Sequence, residues 1–431
     1  MRLFDTLGNL IENGDSLQPA KIFSHNSPPG SVNTQGSLIL PKGSNGFYYI
    51  FTPTITDSSY NYWITQVAKA PFNLLQYHIV DMNTNNGAGK VIQKNIPLLT
   101  NVEMHKVGMM ACRHANGYDW WLLKQANYDS NVIYKILVTA DTVIVKDTQV
   151  FANPVFGVRD RTGQSAFSKN GKKYAYSMGP RSQLFLADFN RCTGMLTNYK
   201  IINVPIDSTS DPFYDNQGIF DSLVAGISFS SNDSFLYVAK RYNLYQYNLF
   251  EIDSNLAWTR IIHGSDTTFQ AFGGYGQLYR AIDNKIYVGQ ASGTFGGLSV
   301  INNPNKLGLA CQLCKKCLRY NQGFYSPTAP ANMPDFNLGF DSSSCWPLSN
   351  VQFTISPNRE QLKVYPNPAF SNVIIDVGEL TKNNICIINT AGQVVYNQKP
   401  KTVKTTIDVS HWASGVYFVR YGSAVKRLVV E

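Results

Sequence analysis

The chain has 431 residues, a formal net charge of +9 and 44% hydrophobic residues. Charged residues reach only 15%, while 25 Tyr and 24 Phe suit short strands joined by polar turns and argue against a mainly helical protein. The positive charge is spread along the chain, with no concentrated basic module of the kind that binds nucleic acid.

The N-terminus predicts a strand, a turn and a second strand. Residues 2–4 and 10–11 are the apolar runs, and residues 5–9 form the polar turn between them. This segment lacks the apolar core of a signal peptide. We therefore expect an export signal and the first strands to be missing from this numbering. No run of about 18 apolar residues occurs, so we expect no transmembrane helix.

Residues 1–345 are predicted to form the first domain, in which a strand–turn–strand phrase recurs. Two strand pairs form each copy, and alternating apolar residues indicate half-buried antiparallel sheets. Five copies are legible, beginning SLILPKGSNGFYYIF, MMACRHANGYDWWLLKQ, SAFSKNGKKYAYSM, ISFSSNDSFLYVAK and QLYRAIDNKIYVGQ. Their tight turns are predicted at Asn116-Gly117, Asn170-Gly171, Asn232-Asp233 and Asp283-Asn284, where residues that tolerate a positive φ are needed.

Repeats of about 45 to 60 residues with four strands each are typical of β-propeller blades. The N-terminal fragment and the segment NMPDFNLGF, residues 332–340, are expected to complete one or two more blades. The prediction is therefore an all-β chain with a propeller of six or seven blades, seven being preferred.

The composition of the sequence changes near residue 346. Residues 346–360 are rich in turn formers and are predicted to be a linker. Residues 361–431 hold seven short strands, which is typical of a small immunoglobulin-like β-sandwich. We expect a second, separate domain here.

Ordered motifs run through this second domain: YPNPAFSNVIIDV, IINTAGQVV, IDVSHWASGVYFVRY and KRLVVE. Together they resemble the C-terminal sorting domain (type A) of the type IX secretion system of Bacteroidetes. The residues that carry the resemblance are Tyr365, Pro366, Asn367, Pro368, Gly392, Gly415, Tyr417, Lys426 and Val429. A sandwich with another purpose, such as an adhesive module, is the alternative interpretation.

The resemblance implies a route of export. Members of the family cross the periplasm and leave through an outer-membrane translocon, after which a surface sortase commonly removes the domain. It therefore implies a secreted or surface-attached protein, with the translocon and the sortase as partners. The last strand, residues 426–431, is a plausible docking edge by strand addition.

The first domain resembles, more loosely, exported Bacteroidetes proteins with WD-repeat-like or surface-layer-like propellers. The matching phrases are TQGSLILP, RHANGYDWW, LYQYNL, MPDF and the Phe-Ser-x-x-Gly run at residues 167–171. This resemblance implies a fold, but not a function, because propellers host both binding and catalysis.

Four of the seven cysteines form a candidate disulfide or metal site: Cys311, Cys314, Cys317 and Cys345. Thiolates spaced as C-x-x-C-x-x-C ligate zinc or an iron–sulfur cluster, but no fourth ligand has a fixed spacing. A disulfide between this loop and Cys345 is the simpler expectation outside the cell.

The sequence gives only weak signals for other catalytic or metal-binding residues. His114 more often fixes a turn against a neighbouring blade than serves a site. The stretch at residues 81–87 lacks the acidic residues and the closing Glu of a calcium loop. We therefore expect no cofactor, with calcium or zinc as alternatives.

These observations favour a non-enzymatic binding or adhesion protein that recognises a protein or a glycan. The alternative is an exported hydrolase or lyase that acts on polysaccharide in the propeller channel, which would need two carboxylates across a cleft. A structural link in a surface assembly is a third interpretation.

Overall fold

The computed structural model describes thirteen stretches of the chain: residues 2–17, 35–43, 45–59 with 61, 72–126, 130–152, 163–178, 182–206, 224–240, 243–262, 274–290, 297–319, 332–341 and 362–431 except 382, 390–392 and 423. Regular structure in them is almost entirely antiparallel strand, with short 3-10 turns at Asn85–Gly87 and Gly308–Cys311. The all-β prediction is confirmed. The chain divides into two units, Met1–Pro347 and Leu348–Glu431. The expected linker at 346–360 lies outside the described residues.

The first unit begins with a seven-stranded sheet whose strands pair in chain order. They are β1 (Leu38–Pro41), β2 (Phe47–Thr54), β3 (Phe72–Asp81), β4 (Lys90–Arg113), β5 (Trp120–Ala126), β6 (Val132–Val138) and β7 (Val143–Val150). The 24-residue strand β4 pairs with β3 as far as Met104 and with β5 from Met104 onward. The first two predicted repeats are thus joined in one sheet through a shared strand.

The next three repeats each form a separate four-stranded sheet. The first contains β8 (Ser165–Phe167), β9 (Lys173–Met178), β10 (Gln183–Phe189) and β11 (Leu196–Asn203). The second contains β12 (Val224–Phe229), β13 (Phe235–Lys240), β14 (Leu244–Asn248) and β15 (Trp258–Ile262). The third contains β16 (Tyr275–Arg280), β17 (Ile286–Gln290), β18 (Gly297–Ile301) and β19 (Leu313–Arg319). Aromatic and aliphatic side chains fill the spaces between successive repeats.

The four predicted turns are confirmed by their backbone. Gly117, Gly171, Asp233 and Asn284 all have positive φ, between 57° and 80°. Asp233 has a further role. Its carboxylate accepts hydrogen bonds from the backbone N–H groups of Lys169 (2.5 Å) and Asn170 (2.9 Å) in the preceding repeat. Turn residues therefore also join neighbouring repeats.

In the first unit, the first strands of the three four-stranded sheets meet at a buried glutamine. Gln164, directly before β8, donates to the Leu278 carbonyl (2.6 Å) and accepts the N–H groups of Leu278 (3.0 Å) and Ile227 (3.1 Å). Gly226 lies so close to β16 that an added Cβ would be 2.4 Å from the Gly276 oxygen. The chain is therefore closely packed where β8, β12 and β16 meet.

Neither segment expected to complete further blades forms a strand within its described residues. Residues 2–17 contain the predicted turn, in which the Asp5 carboxylate accepts N–H groups of Leu7 and Asn9, closed by a single bridge between Phe4 and Leu10. Ile11 packs on the first sheet. Residues 332–341 instead cross one face of the unit, where their polar groups bond to several repeats.

The second unit has the seven predicted strands in two antiparallel sheets. One sheet contains β20 (Lys363–Tyr365), β21 (Asn372–Asp376) and β24 (Lys404–Asp408); the other contains β22 (Ile385–Asn389), β23 (Val394–Gln398), β25 (Gly415–Tyr421) and β26 (Ala424–Val430). Alternate aliphatic side chains from both sheets form one core. This arrangement agrees with the predicted sandwich.

The stability of the first unit should fall as the pH is lowered from about 6.5 toward 4, through His78. Its ring is fully buried; Nδ1 accepts the Asn95 N–H (2.9 Å) and Nε2 lies 3.0 Å from the Thr52 hydroxyl. Burial lowers the pKa of His78 to about 4 from 6.5. Between these values the unfolded chain binds a proton that the folded chain does not, so acid favours unfolding.

Urea unfolding at about pH 7 and about pH 5 measures this effect. The His78→Gln chain should lose less stability on acidification than the parent, while His411→Gln, at an exposed position, should match the parent. An equal pH dependence in the parent and His78→Gln chains would contradict the assignment.

Candidate sorting signal and the face of the first unit

The predicted Tyr-Pro-Asn-Pro motif ends β20 and contacts the last strand of the chain. The Asn367 amide donates from Nδ2 to the Arg427 carbonyl (2.7 Å) and accepts at Oδ1 the Val429 N–H (2.8 Å). One side chain therefore bonds two backbone groups of β26, as a neighbouring strand would. Pro366 and Pro368 restrict the backbone on each side of it.

The backbone continues this contact beyond the motif. The Ala369 N–H donates to the Val429 carbonyl (2.8 Å), and the Glu431 N–H donates to the Ala369 carbonyl (2.9 Å). Since β25 pairs with the other edge of β26, the strand is held on both sides from Arg427 to Val430. This differs from the expected free docking edge at 426–431, because residues 367–369 already occupy it.

The second group of motif residues supports the turn into β25. The Tyr417 hydroxyl donates to the Ala413 carbonyl (2.7 Å), and its ring lies 5.0 Å from that of Trp412. An added Cβ at Gly415 would contact nothing within 4 Å, so packing does not require glycine there. Gly392 lies outside the described residues.

The outer face of the four-stranded sheet combines apolar and basic side chains. Phe418 lies opposite Ile388 on one neighbour and opposite Arg427 on the other, and Val416 lies opposite Val429. The apolar members are half-buried, whereas Arg427 is exposed; Lys426, one residue earlier, is also exposed but lies on the opposite face. This face and the exposed strand β23 offer a surface that a protein partner can contact.

The cysteine site differs from the expectation. Cys314 and Cys317 form a disulfide with each other, across a bulge in β19, and Cys311 is a buried free thiol. The bulge brings the two sulfurs together, so neither Cys314 nor Cys317 is available to Cys345 or to a metal. Cys345 itself lies outside the described residues.

No group of three or more His, Cys, Asp or Glu side chains in the described part of the chain is placed to hold a metal ion. His114 has the predicted structural role: Nδ1 accepts the Asn116 N–H (3.0 Å), and Nε2 bonds the Cys192 carbonyl (2.9 Å) of the next repeat. The Asp81 carboxylate at the start of the calcium-like stretch binds Asn83 instead.

A cavity of about 40 Å³ lies at the centre of the first unit, beneath residues 333–338. It has room for about three water molecules. Among the described residues that line it, Asp335 is the only carboxylate, and it lies 3.3 Å from the Arg280 guanidinium. The two carboxylates that a glycosidase needs are not paired here.

Sequence reasoning missed the polar side chains that organise this centre. The sequence around these residues is that of an ordinary strand or turn, and their spacing does not indicate a shared site: Gln164, Arg191 and Arg280. The phrase MPDF was noted, but only as a matching phrase of the propeller resemblance and as part of a further blade. Its Asp carboxylate, next to Pro and Phe, was the one available signal of an ion-paired segment.

Comparison with known proteins identifies the second unit. Residues 363–431 match the family described as the secretion system C-terminal sorting domain. The end of the chain is therefore a sorting domain, which indicates export by the type IX secretion system to the cell surface or the medium. No curated protein sequence matches the chain significantly. No helix in the described residues is long and apolar enough to cross a membrane.

Several solved structures match the chain at low identity and low TM-score. PorZ of Porphyromonas gingivalis, described as an essential surface component of the type-IX secretion system, is 12% identical with a TM-score of 0.35; the match covers 94% of this chain and 60% of PorZ. A Lactobacillus plantarum protein is 12% identical with a TM-score of 0.37, and the match covers 62% of this chain and 80% of that protein. Hsv2 of Kluyveromyces lactis is 11% identical with a TM-score of 0.31, and the match covers 62% of this chain and 89% of Hsv2. These scores are too low to support an argument about function.

Proposed function

We propose that the chain is a non-enzymatic binding or adhesion protein of the cell surface or the medium, delivered by its C-terminal sorting domain. The observation that supports this most strongly is the match of residues 363–431 to that domain, in which Asn367 joins the first motif to the last strand. The outer-membrane translocon and the surface sortase are the proposed partners of this domain.

The first unit is proposed to be a β-propeller that supplies the binding surface. Its described part has five four-stranded repeats, two of which share β4, and the first strands of the last three are neighbours. The expected count of six or seven blades stays a prediction. A protein or glycan ligand would contact the faces and loops of the unit, because the central cavity holds only about three water molecules.

The hydrolase or lyase alternative makes a different prediction for the purified chain. On incubation with acidic and neutral polysaccharides, a binding protein should release no new reducing or unsaturated ends, whether or not it co-sediments with the polysaccharide. The Asp335→Asn chain serves as the matched control, since it removes the carboxylate at the central cavity. Product release that disappears in Asp335→Asn would replace the binding proposal with the enzymatic one.

A further inference from the structure

Residues 332–341, hereafter the strap, lie across a face shared by several repeats. The Asn332 amide donates to the carbonyls of Ser37 (3.2 Å) and Met109 (3.1 Å), near β1 and in β4. At the other end the Asp341 N–H donates to the Ala115 carbonyl (2.8 Å). The strap therefore follows a defined path over the unit, like a peptide in a groove.

Cationic side chains on the unit bind the acidic groups of the strap. Asp335 lies 2.8 Å from the Lys169 ammonium and 3.3 Å from the Arg280 guanidinium. Arg191 donates to the Gly339 carbonyl (2.6 Å) and lies 3.9 Å from the Asp341 carboxylate. The Arg191 and Arg280 side chains are only 4% and 10% exposed.

The strap also has apolar anchors. The Phe336 ring packs edge-on against Trp120, with centroids 5.5 Å apart, and the Arg113 guanidinium lies 4.3 Å from the Trp120 ring. Arg113 donates to the Phe336 carbonyl (3.2 Å). Leu338 packs into the cluster between the second and third repeats. Aromatic and arginine side chains of this kind dominate the energetics of protein interfaces.

The repeats position the two buried guanidinium groups with bonds of their own. Arg191 donates to the carbonyls of Arg113 (3.0 Å) and His114 (3.4 Å), and Arg280 donates to the Phe229 carbonyl (3.3 Å). These bonds do not involve the strap, so the cations stay in place if it leaves. A buried cation is costly without an anion, and an arginine cluster recognises acidic peptides well.

We propose that this face is a binding site for an extended acidic peptide of another protein, with the strap as its tethered resident occupant. The partner segment would carry two carboxylates flanking an aromatic residue, as Asp335, Phe336 and Asp341 do. The inference rests on the proposed binding function and gives it a site and a ligand class. A tethered occupant competes at an effective concentration on the order of millimolar, so the partner must bind tightly or be locally abundant.

A fluorescent peptide with the sequence of residues 332–341 tests the site on the purified full-length chain. The Asp335→Asn/Asp341→Asn chain has a weakened resident strap and should bind the peptide about tenfold or more tightly than the parent does. The control chain Asp253→Asn, changed at an exposed turn, should bind like the parent. The same peptide with both Asp residues replaced by Asn should bind about tenfold more weakly.

If the double variant fails to fold, Phe336→Ala takes its place, because it weakens the strap without altering charge, and the same gain in affinity is expected. A folded variant that binds the peptide no better than the parent would overturn the proposal and make the strap a permanent structural element. This readout uses purified protein and is independent of export. It can fail while the sorting assignment stands.

Discussion

Replacing Gln164 with Leu is expected to destabilise the first unit by about 3–5 kcal/mol, because three hydrogen bonds to the backbone of β12 and β16 are lost at a buried position. The Gln164 side chain is 1% exposed. The N–H groups of Ile227 and Leu278 would stay buried without their acceptor. Leu has nearly the same volume, so the effect measures the lost bonds rather than a cavity.

Urea unfolding followed by tyrosine and tryptophan fluorescence measures this difference. Gln183→Leu is the matched control, since Gln183 bonds only one exposed side chain, Asn203, and should change stability by less than about 0.5 kcal/mol. Equal unfolding midpoints for the Gln164 and Gln183 variants would show that the first strands do not meet at this residue.

Replacing Leu428 with Asp is expected to unfold the second unit and stop export. Leu428 is fully buried in the core between the two sheets. A charge there without a partner costs about 4 kcal/mol or more, which is a large part of the stability of so small a domain. The contact between Asn367 and β26 would be lost with it.

Thr406→Asp is the matched control, because the same new residue stands at an exposed strand position of the other sheet, outside the face that contains Phe418 and Arg427. It should keep both the folded unit and export. Limited proteolysis of the purified chains reports folding, and immunoblots of periplasm and medium report export. Normal export of the Leu428→Asp chain would mean that the machinery reads a linear signal rather than the folded sandwich.

Sequence reasoning predicted the repeats and the sandwich because both depend on local patterns. Alternating apolar residues and turn formers mark each strand pair, and positive φ at Gly171 and Asp233 follows from the turn chemistry. The Asn367 contact was not predictable, since it joins residues about sixty positions apart. The same holds for Arg191, whose partners in the strap lie in a segment that had been interpreted as a further blade.

The cysteine pairing was missed for a related reason. Spacing alone permits Cys314 to bond Cys317, Cys345 or a metal, and the choice depends on the bulge in β19. Likewise, residues 426–431 were expected to offer a free edge because they end the chain. Whether an edge is free depends on what lies beside it, and here Ala369 pairs with Val430.

The most direct test of the account is the location of the intact chain and of a chain that ends at Pro347, both made with an export signal in a bacterium that has this secretion system. The account predicts that the intact chain reaches the surface or the medium, and that the shortened chain remains in the periplasm in a folded state. Equal export of the two chains would contradict the assignment of the second unit as the sorting signal.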